Sequence, residues 1–311
     1  MIGRRAFLSL AALAACSRRE SESAKPALSP PPAEPPAPTT THFGGAPRGK
    51  TELVRWSLDA FSTEVAIVVP SWDNPSGRFP LLVALHGRGE AVKPPKAGCL
   101  GWPNDYGMIR AFERLAAPPL TDTDYQGFSD PTRLATTNRE LVARPFRGLV
   151  VVCPHVPDVD LHSDTDARRV GDFLVQTLLP RVRRELPVLD TPEATGIDGV
   201  SLGGALALRV GLVHPETFGA VGALQAAIGD ERMDELTDLA LAARKKRPKL
   251  ALRLTTSHDD YYKPWVSKLD GRWRSAGIEH DYADVPGPHD YSFNRGPGVY
   301  EMLLWHDRVL G

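Results

Sequence analysis

The sequence predicts an α/β fold, a mostly parallel central sheet with helices on both faces. Three observations carry that expectation. From residue 51 onward, strand-like and helix-like segments alternate almost without exception. Continuous apolar runs such as Leu149-Val150-Val151-Val152 have the character of strands buried on both faces, as parallel strands are. The 311 residues are 42% hydrophobic and 24% charged, ordinary globular usage that supplies the core of one large domain.

The elements follow in order. Residues 1–16 hold Arg4 and Arg5, an apolar run broken by Ser9, and Cys16. The run is too short for a bilayer span, which takes about 20 residues, so it reads as a targeting segment. Leu13-Ala14-Ala15-Cys16 is similar to a bacterial lipobox, which implies lipidation of Cys16 and removal of the preceding peptide. Arg4-Arg5-Ala6-Phe7-Leu8 also resembles a twin-arginine signal, with the Sec route open beside it. Residues 17–48, rich in Pro, Ala, Ser and Thr, cannot bury a core and read as a semi-extended tether. The expected location is the cell envelope, with the membrane as a partner through the lipid anchor only.

Residues 49–311 make the folded domain. Segments 51–58, 64–69 and 79–85 carry β-branched or apolar strand patterns, and 148–153 is a fourth strand. From Val170, apolar residues recur at Phe173, Leu174, Leu178 and Val182, the spacing of a surface-packed crossover helix. Segment 193–200 leads into Ser201, and 202–213 is an apolar helix stopped by His214-Pro215. Strands over 218–228, 250–256 and 278–285 then alternate with helices over 230–246, 264–276 and 299–310.

Composition excludes some functions. Lys and Arg number 37 against 38 acidic residues, so no field favours nucleic acid. Asp158, Asp160, Asp164 and Asp166 with His155 and His162 match no ordered calcium loop and read as a turn and helix start, so no metal is expected there. Arg244-Lys245-Lys246-Arg247 is a basic helix end. Cys99 and Cys153 either pair or are small buried hydrophobes, and burial is the favoured reading. The sequence does not indicate an oligomeric state.

The chemistry centres on Gly199-Val200-Ser201-Leu202-Gly203, followed by Gly204. A strand runs into Ser201 and an apolar helix leaves it, the setting a nucleophile elbow needs, because side chains at the flanking positions would clash with strand and helix. A serine hydroxyl needs a base, and His289 in Pro286-Gly287-Pro288-His289-Asp290 follows a predicted strand. The base needs an acid between serine and histidine in sequence. Asp260 is preferred over the adjacent Asp259, with Asp284 third in the same order. Two backbone N–H groups would form the oxyanion hole, Leu202 and one from His86-Gly87-Arg88-Gly89, either Arg88 or Gly87. His86 itself reads as a structural, hydrogen-bonded histidine.

Ala84-Leu85-His86-Gly87, together with residues 199–204, His214-Pro215-Glu216-Thr217-Phe218-Gly219 and Gly287-Pro288-His289-Asp290, resembles the putative-esterase (esterase D-like) family of α/β-hydrolases over about residues 51–311. That family includes S-formylglutathione hydrolases, feruloyl and acetylxylan esterases, siderophore esterases and mycolyltransferases. The resemblance implies an α/β-hydrolase fold and a cofactor-free serine esterase acting on a small-molecule ester through a Ser-acid-His triad. One departure is a long insert, residues 91–147, holding Trp102, Tyr106, Tyr125 and Phe128, which is expected to overhang the site. Its aromatics either stack on a sugar or phenolic group or, the preferred reading, pack the insert onto the domain. Two rival functions stand beside the esterase: acyl transfer to a hydroxyl acceptor, and a non-catalytic envelope lipoprotein serving as a binding module.

Overall fold

The computed structural model describes residues 45–59 and 62–310. The predicted signal segment with Cys16, and the tether as far as residue 44, lie outside them.

Among the described residues, eight strands form one sheet in the order β1-β2-β4-β3-β5-β6-β7-β8. They are β1 (Thr51–Leu58), β2 (Thr63–Pro70), β3 (Leu81–Leu85), β4 (Val150–Pro154), β5 (Thr195–Gly199), β6 (Ala220–Leu224), β7 (Ala251–Asp259) and β8 (Asp281–Pro288). β2 runs antiparallel to both β1 and β4, and every pairing from β4 to β8 is parallel. β3 to β6 are buried at every residue, which is why their sequences are apolar or small without alternation. The edge strand β1 alternates partly buried and exposed positions instead.

The helix Leu202–Val213 is buried along nearly its whole length, as its all-round apolar sequence requires. The predicted crossover helix begins earlier than Val170. Ser163 Oγ accepts the Asp166 N–H and caps a helix over Asp164–Asp172, with Asp164 and Asp166 in its first turn. It continues through a wider π-type segment, Phe173–Leu178, into Leu179–Glu185.

Two strand ends differ from expectation, and both differences matter for the site. β7 continues past Thr256 to Asp259, with a register irregularity between Ser257 and Asp259. β8 starts at Asp281 and runs through the Pro/Gly stretch to Pro288. Asp259 therefore lies opposite Pro288, and the next residues, Asp260 and His289, leave two neighbouring parallel strands side by side.

The insert is more ordered than a long connection. It contains helices Met108–Ala116 and Pro131–Ala143, and Met108, Ala111, Phe112 and Leu115 face the core. Trp102, Tyr106 and Tyr125 are buried, the packing role preferred for them, and Cys99 and Cys153 are buried free thiols.

Candidate active site

Ser201 sits between β5 and the helix Leu202–Val213 with φ 57° and ψ −115°. That backbone is unfavourable for a residue with a Cβ and persists only where surroundings hold it. Here β6 and the residues after it do so. The Ser201 N–H donates to Leu224 O at 2.9 Å, and the Ala227 N–H donates to Ser201 O at 3.0 Å. Glycine is obligatory around the turn: a Cβ on Gly203 would lie 2.4 Å from Leu85 O, and one on Gly199 would lie 2.5 Å from the Gly203 carbonyl group. Among the described residues, Ser201 Oγ makes no hydrogen bond.

His289 and Asp260 meet at the ends of β8 and β7. His289 Nδ1 donates to Asp260 Oδ1 at 2.7 Å. Asp260 is buried and also accepts from the Tyr262 N–H at 2.9 Å and from Thr256 Oγ1 at 2.8 Å. The carboxylate thus has three donors and fixes which imidazole nitrogen carries the proton, leaving Nε2 as the acceptor. Tyr261, 60% exposed, lies over the His289 ring with centroids 4.2 Å apart. The alternative acid Asp259 is exposed at the strand end, and Asp284 is engaged with Lys263 Nζ at 2.7 Å. Among the described residues, the carboxylate bonded to His289 is that of Asp260 and neither of these.

The β3 loop borders Ser201 on the other side: a Cβ on Gly87 would lie 3.8 Å from Ser201 Cβ. His86 Nδ1 donates to Gly87 O at 3.0 Å, and Nε2 accepts the Val156 N–H at 3.0 Å. Burial lowers the His86 pKa to about 4, so it holds the loop as a neutral ring. The Gly87 N–H is taken by Tyr106 Oη at 3.3 Å. The amides of Arg88 and Leu202, each the first residue of a helix, donate to no acceptor among the described residues. The Arg88 side chain turns away to Asp158 at 2.8 Å.

Three contributors went unread in the sequence. Glu90 is a buried carboxyl one turn past His86, bonded to Tyr106 and Tyr291. Its pKa is raised by burial, against the lowering effects of Tyr291 and Lys93. Gln225, at φ 45°, donates to Ser257 Oγ at 2.6 Å and Pro288 O at 2.9 Å, tying the strand end that holds Ser201 to the residue before His289. Thr256 braces Asp260. A lone glutamate or glutamine carries no motif. Only the nearness of Glu90 to the His86-Gly87 pair marks it.

A family model described as putative esterase matches residues 156–293, the stretch that contains Ser201, Asp260 and His289. No curated protein matches the sequence. Similar solved structures include a ferulic acid esterase, with TM-score 0.60 and 16% identity over 84% of this chain and 99% of that one. An S-formylglutathione hydrolase from Staphylococcus aureus gives TM-score 0.57 and 15% identity over 85% and 100% of the two chains. A ferulic acid esterase from Anaeromyces mucronatus gives 0.53 and 15% over 83% and 91%. The strand order and the solved structures agree on an α/β-hydrolase fold, and residues 156–293, which include the serine turn, match the putative-esterase family model.

Proposed function

We propose that the protein hydrolyses small-molecule carboxylic esters through Ser201, His289 and Asp260 by way of an acyl-enzyme. The observation that carries this reading is the Asp260–His289 pair, which leaves β7 and β8 on the same sheet edge as the strained Ser201 turn. Ser201 Oγ attacks the ester carbonyl and His289 Nε2 takes its proton, while Asp260 holds Nδ1–H and stabilises the imidazolium. The carbonyl oxygen becomes an oxyanion facing the Leu202 and Arg88 amides at two helix N-termini. Collapse breaks the bond to the alcohol oxygen, which leaves with the proton from His289. Water then attacks the acyl-enzyme, gives its proton to His289, and the acid departs as Ser201 regains its own. Arg88 is preferred to Gly87 as the second donor because Tyr106 already occupies the Gly87 N–H.

Turnover of nitrophenyl esters of rising acyl length by the full chain and by Ser201→Ala tests the reading. Serine-dependent hydrolysis of any of them is expected, and its absence on all would favour a binding module. The anchored location belongs to the same proposal and rests on the Cys16 motif. Cys16→Ser is expected to move the protein from the membrane fraction to the soluble one.

A further inference from the structure

The loop proposed to carry an oxyanion donor, the arm His86-Gly87-Arg88-Gly89, is clamped from two sides. Gly87 O accepts from His86 Nδ1 at 3.0 Å and from the Glu90 and Ala91 amides at 3.2 and 3.3 Å. In a trans peptide the next N–H points opposite to that carbonyl, so these donors aim the Arg88 N–H away from the loop interior. The Gly87 N–H is held by Tyr106 Oη, whose own proton goes to Glu90 Oε2. Both peptide planes of the arm are therefore fixed, the second through a buried carboxyl.

That carboxyl reaches further. Glu90 Oε1 accepts from Tyr291 Oη at 2.5 Å, and Tyr291 lies two residues beyond His289. Lys93 Nζ sits 3.4 Å from the same oxygen and 2.8 Å from Asp105, balancing the buried charge. The site leaves room for this arrangement: a Cβ on Gly101 would lie 2.7 Å from Glu90 Cγ, and one on Gly89 would lie 3.1 Å from Tyr291 Oη. Trp102, next to Gly101, donates Nε1 to Leu85 O at 2.9 Å, so the insert packs against the root of the arm.

Taking the esterase reading as its premise, we infer that Glu90, Tyr106 and Tyr291 are positioning residues that lock the oxyanion arm to the loop carrying the base, so that donor and base keep one spacing. Their removal should act on the transition state and leave ground-state binding alone.

The experiment is steady-state kinetics of the full chain on nitrophenyl acetate, with Ser201→Ala as control and thermal unfolding recorded for each variant. Tyr106→Phe removes the acceptor of the Gly87 N–H. Deleting an oxyanion donor outright costs about 100- to 1,000-fold in kcat, so losing its support is expected to cost roughly 10- to 100-fold with KM within about twofold. Glu90→Gln and the partly exposed Tyr291→Phe should fall in the same direction by smaller factors. Affinity for a trifluoromethyl ketone that mimics the tetrahedral species should drop in parallel with kcat. Wild-type kcat in both Tyr106→Phe and Glu90→Gln, or a loss confined to KM, overturns the inference. If Tyr106→Phe does not fold, wild-type kcat in Tyr291→Phe overturns it. Turnover that survives Ser201→Ala sinks the esterase reading instead, so the two failures are told apart.

Discussion

Of the aspartate–histidine hydrogen bonds among the described residues, two of nearly equal length differ in their place on the sheet. Asp260 and His289 meet at 2.7 Å beyond the ends of β7 and β8, and Asp198 and His306 meet at 3.0 Å between β5 and the C-terminal helix Val299–Val309. The first pair has its remaining carboxylate positions filled by neutral donors, a hydroxyl and an amide, and the imidazole keeps Nε2 as an acceptor at the carboxyl-terminal edge of the sheet. The second is sealed. Both side chains are wholly buried, Arg253 adds an ion pair to Asp198 at 2.8 Å, and a Cβ on Gly196 would lie 2.6 Å from His306 Nδ1. Burial lowers the His306 pKa despite the neighbouring carboxylate. Residue types and contact distance are shared; position relative to the strand ends separates the pair to which proton transfer is proposed from one sealed in the core.

The sharpest test of that contrast is on activity. Ser201→Ala should lower kcat by about 10⁴-fold or more with thermal stability unchanged. Asp260→Asn, measured with the same ester, should lose roughly 10³- to 10⁴-fold because the imidazole is no longer held in the required tautomer. Asp198→Asn should do the reverse. Activity per folded molecule stays within about twofold, while denaturant unfolding shows a loss of about 3–5 kcal/mol from leaving Arg253 buried without its partner. A large kcat loss in folded Asp198→Asn would erase the distinction.

Smaller effects follow. The His86 pKa in the folded state lies below its ordinary value, so the unfolded chain takes up that proton first as pH falls. Its contribution to stability is complete above about pH 6.5, is lost between there and about pH 4, and amounts to roughly 3 kcal/mol. The stability gap between the protein and His86→Asn, from denaturant unfolding at pH 7, 5.5 and 4, should shrink accordingly; a constant gap would contradict a neutral buried ring. Smallest of all, Asp259→Asn should leave kcat within about twofold, since that residue is exposed at the strand end and the carboxylate bonded to His289 is that of Asp260.

Much of this was legible in the sequence. The serine turn declares itself because backbone strain and close packing demand glycines at fixed offsets, and the parallel strands declare themselves through unbroken apolar runs. The ends of β7 and β8 did not. Ser257-His258-Asp259 and Pro286-Gly287-Pro288 carry polar and turn-forming residues, yet both extend the sheet because each pairs with the other. Such mutual support is invisible to a single segment's propensity. The helix Met108–Ala116 shows the opposite case: its inward residues recur at three- and four-residue spacing, a readable period hidden among the prolines and polar residues of the insert. Glu90 and Gln225 were out of reach for a different reason. Their partners are 201 and 63 residues away in the chain, and only folding brings them together.

β1 runs in the same direction as β4, β3 and β5, since the intervening β2 reverses twice. Its first residue, Thr51, therefore enters the sheet at the amino-terminal edge, whereas Ser201, Asp260 and His289 stand at the carboxyl-terminal edge. For immobilisation or fusion this sets an orientation. A bead, electrode or carrier domain joined ahead of β1 attaches at the edge opposite Ser201 and leaves the proposed site toward bulk solution, whereas attachment through an exposed residue such as Tyr261, which lies over the His289 ring, would turn that site against the support.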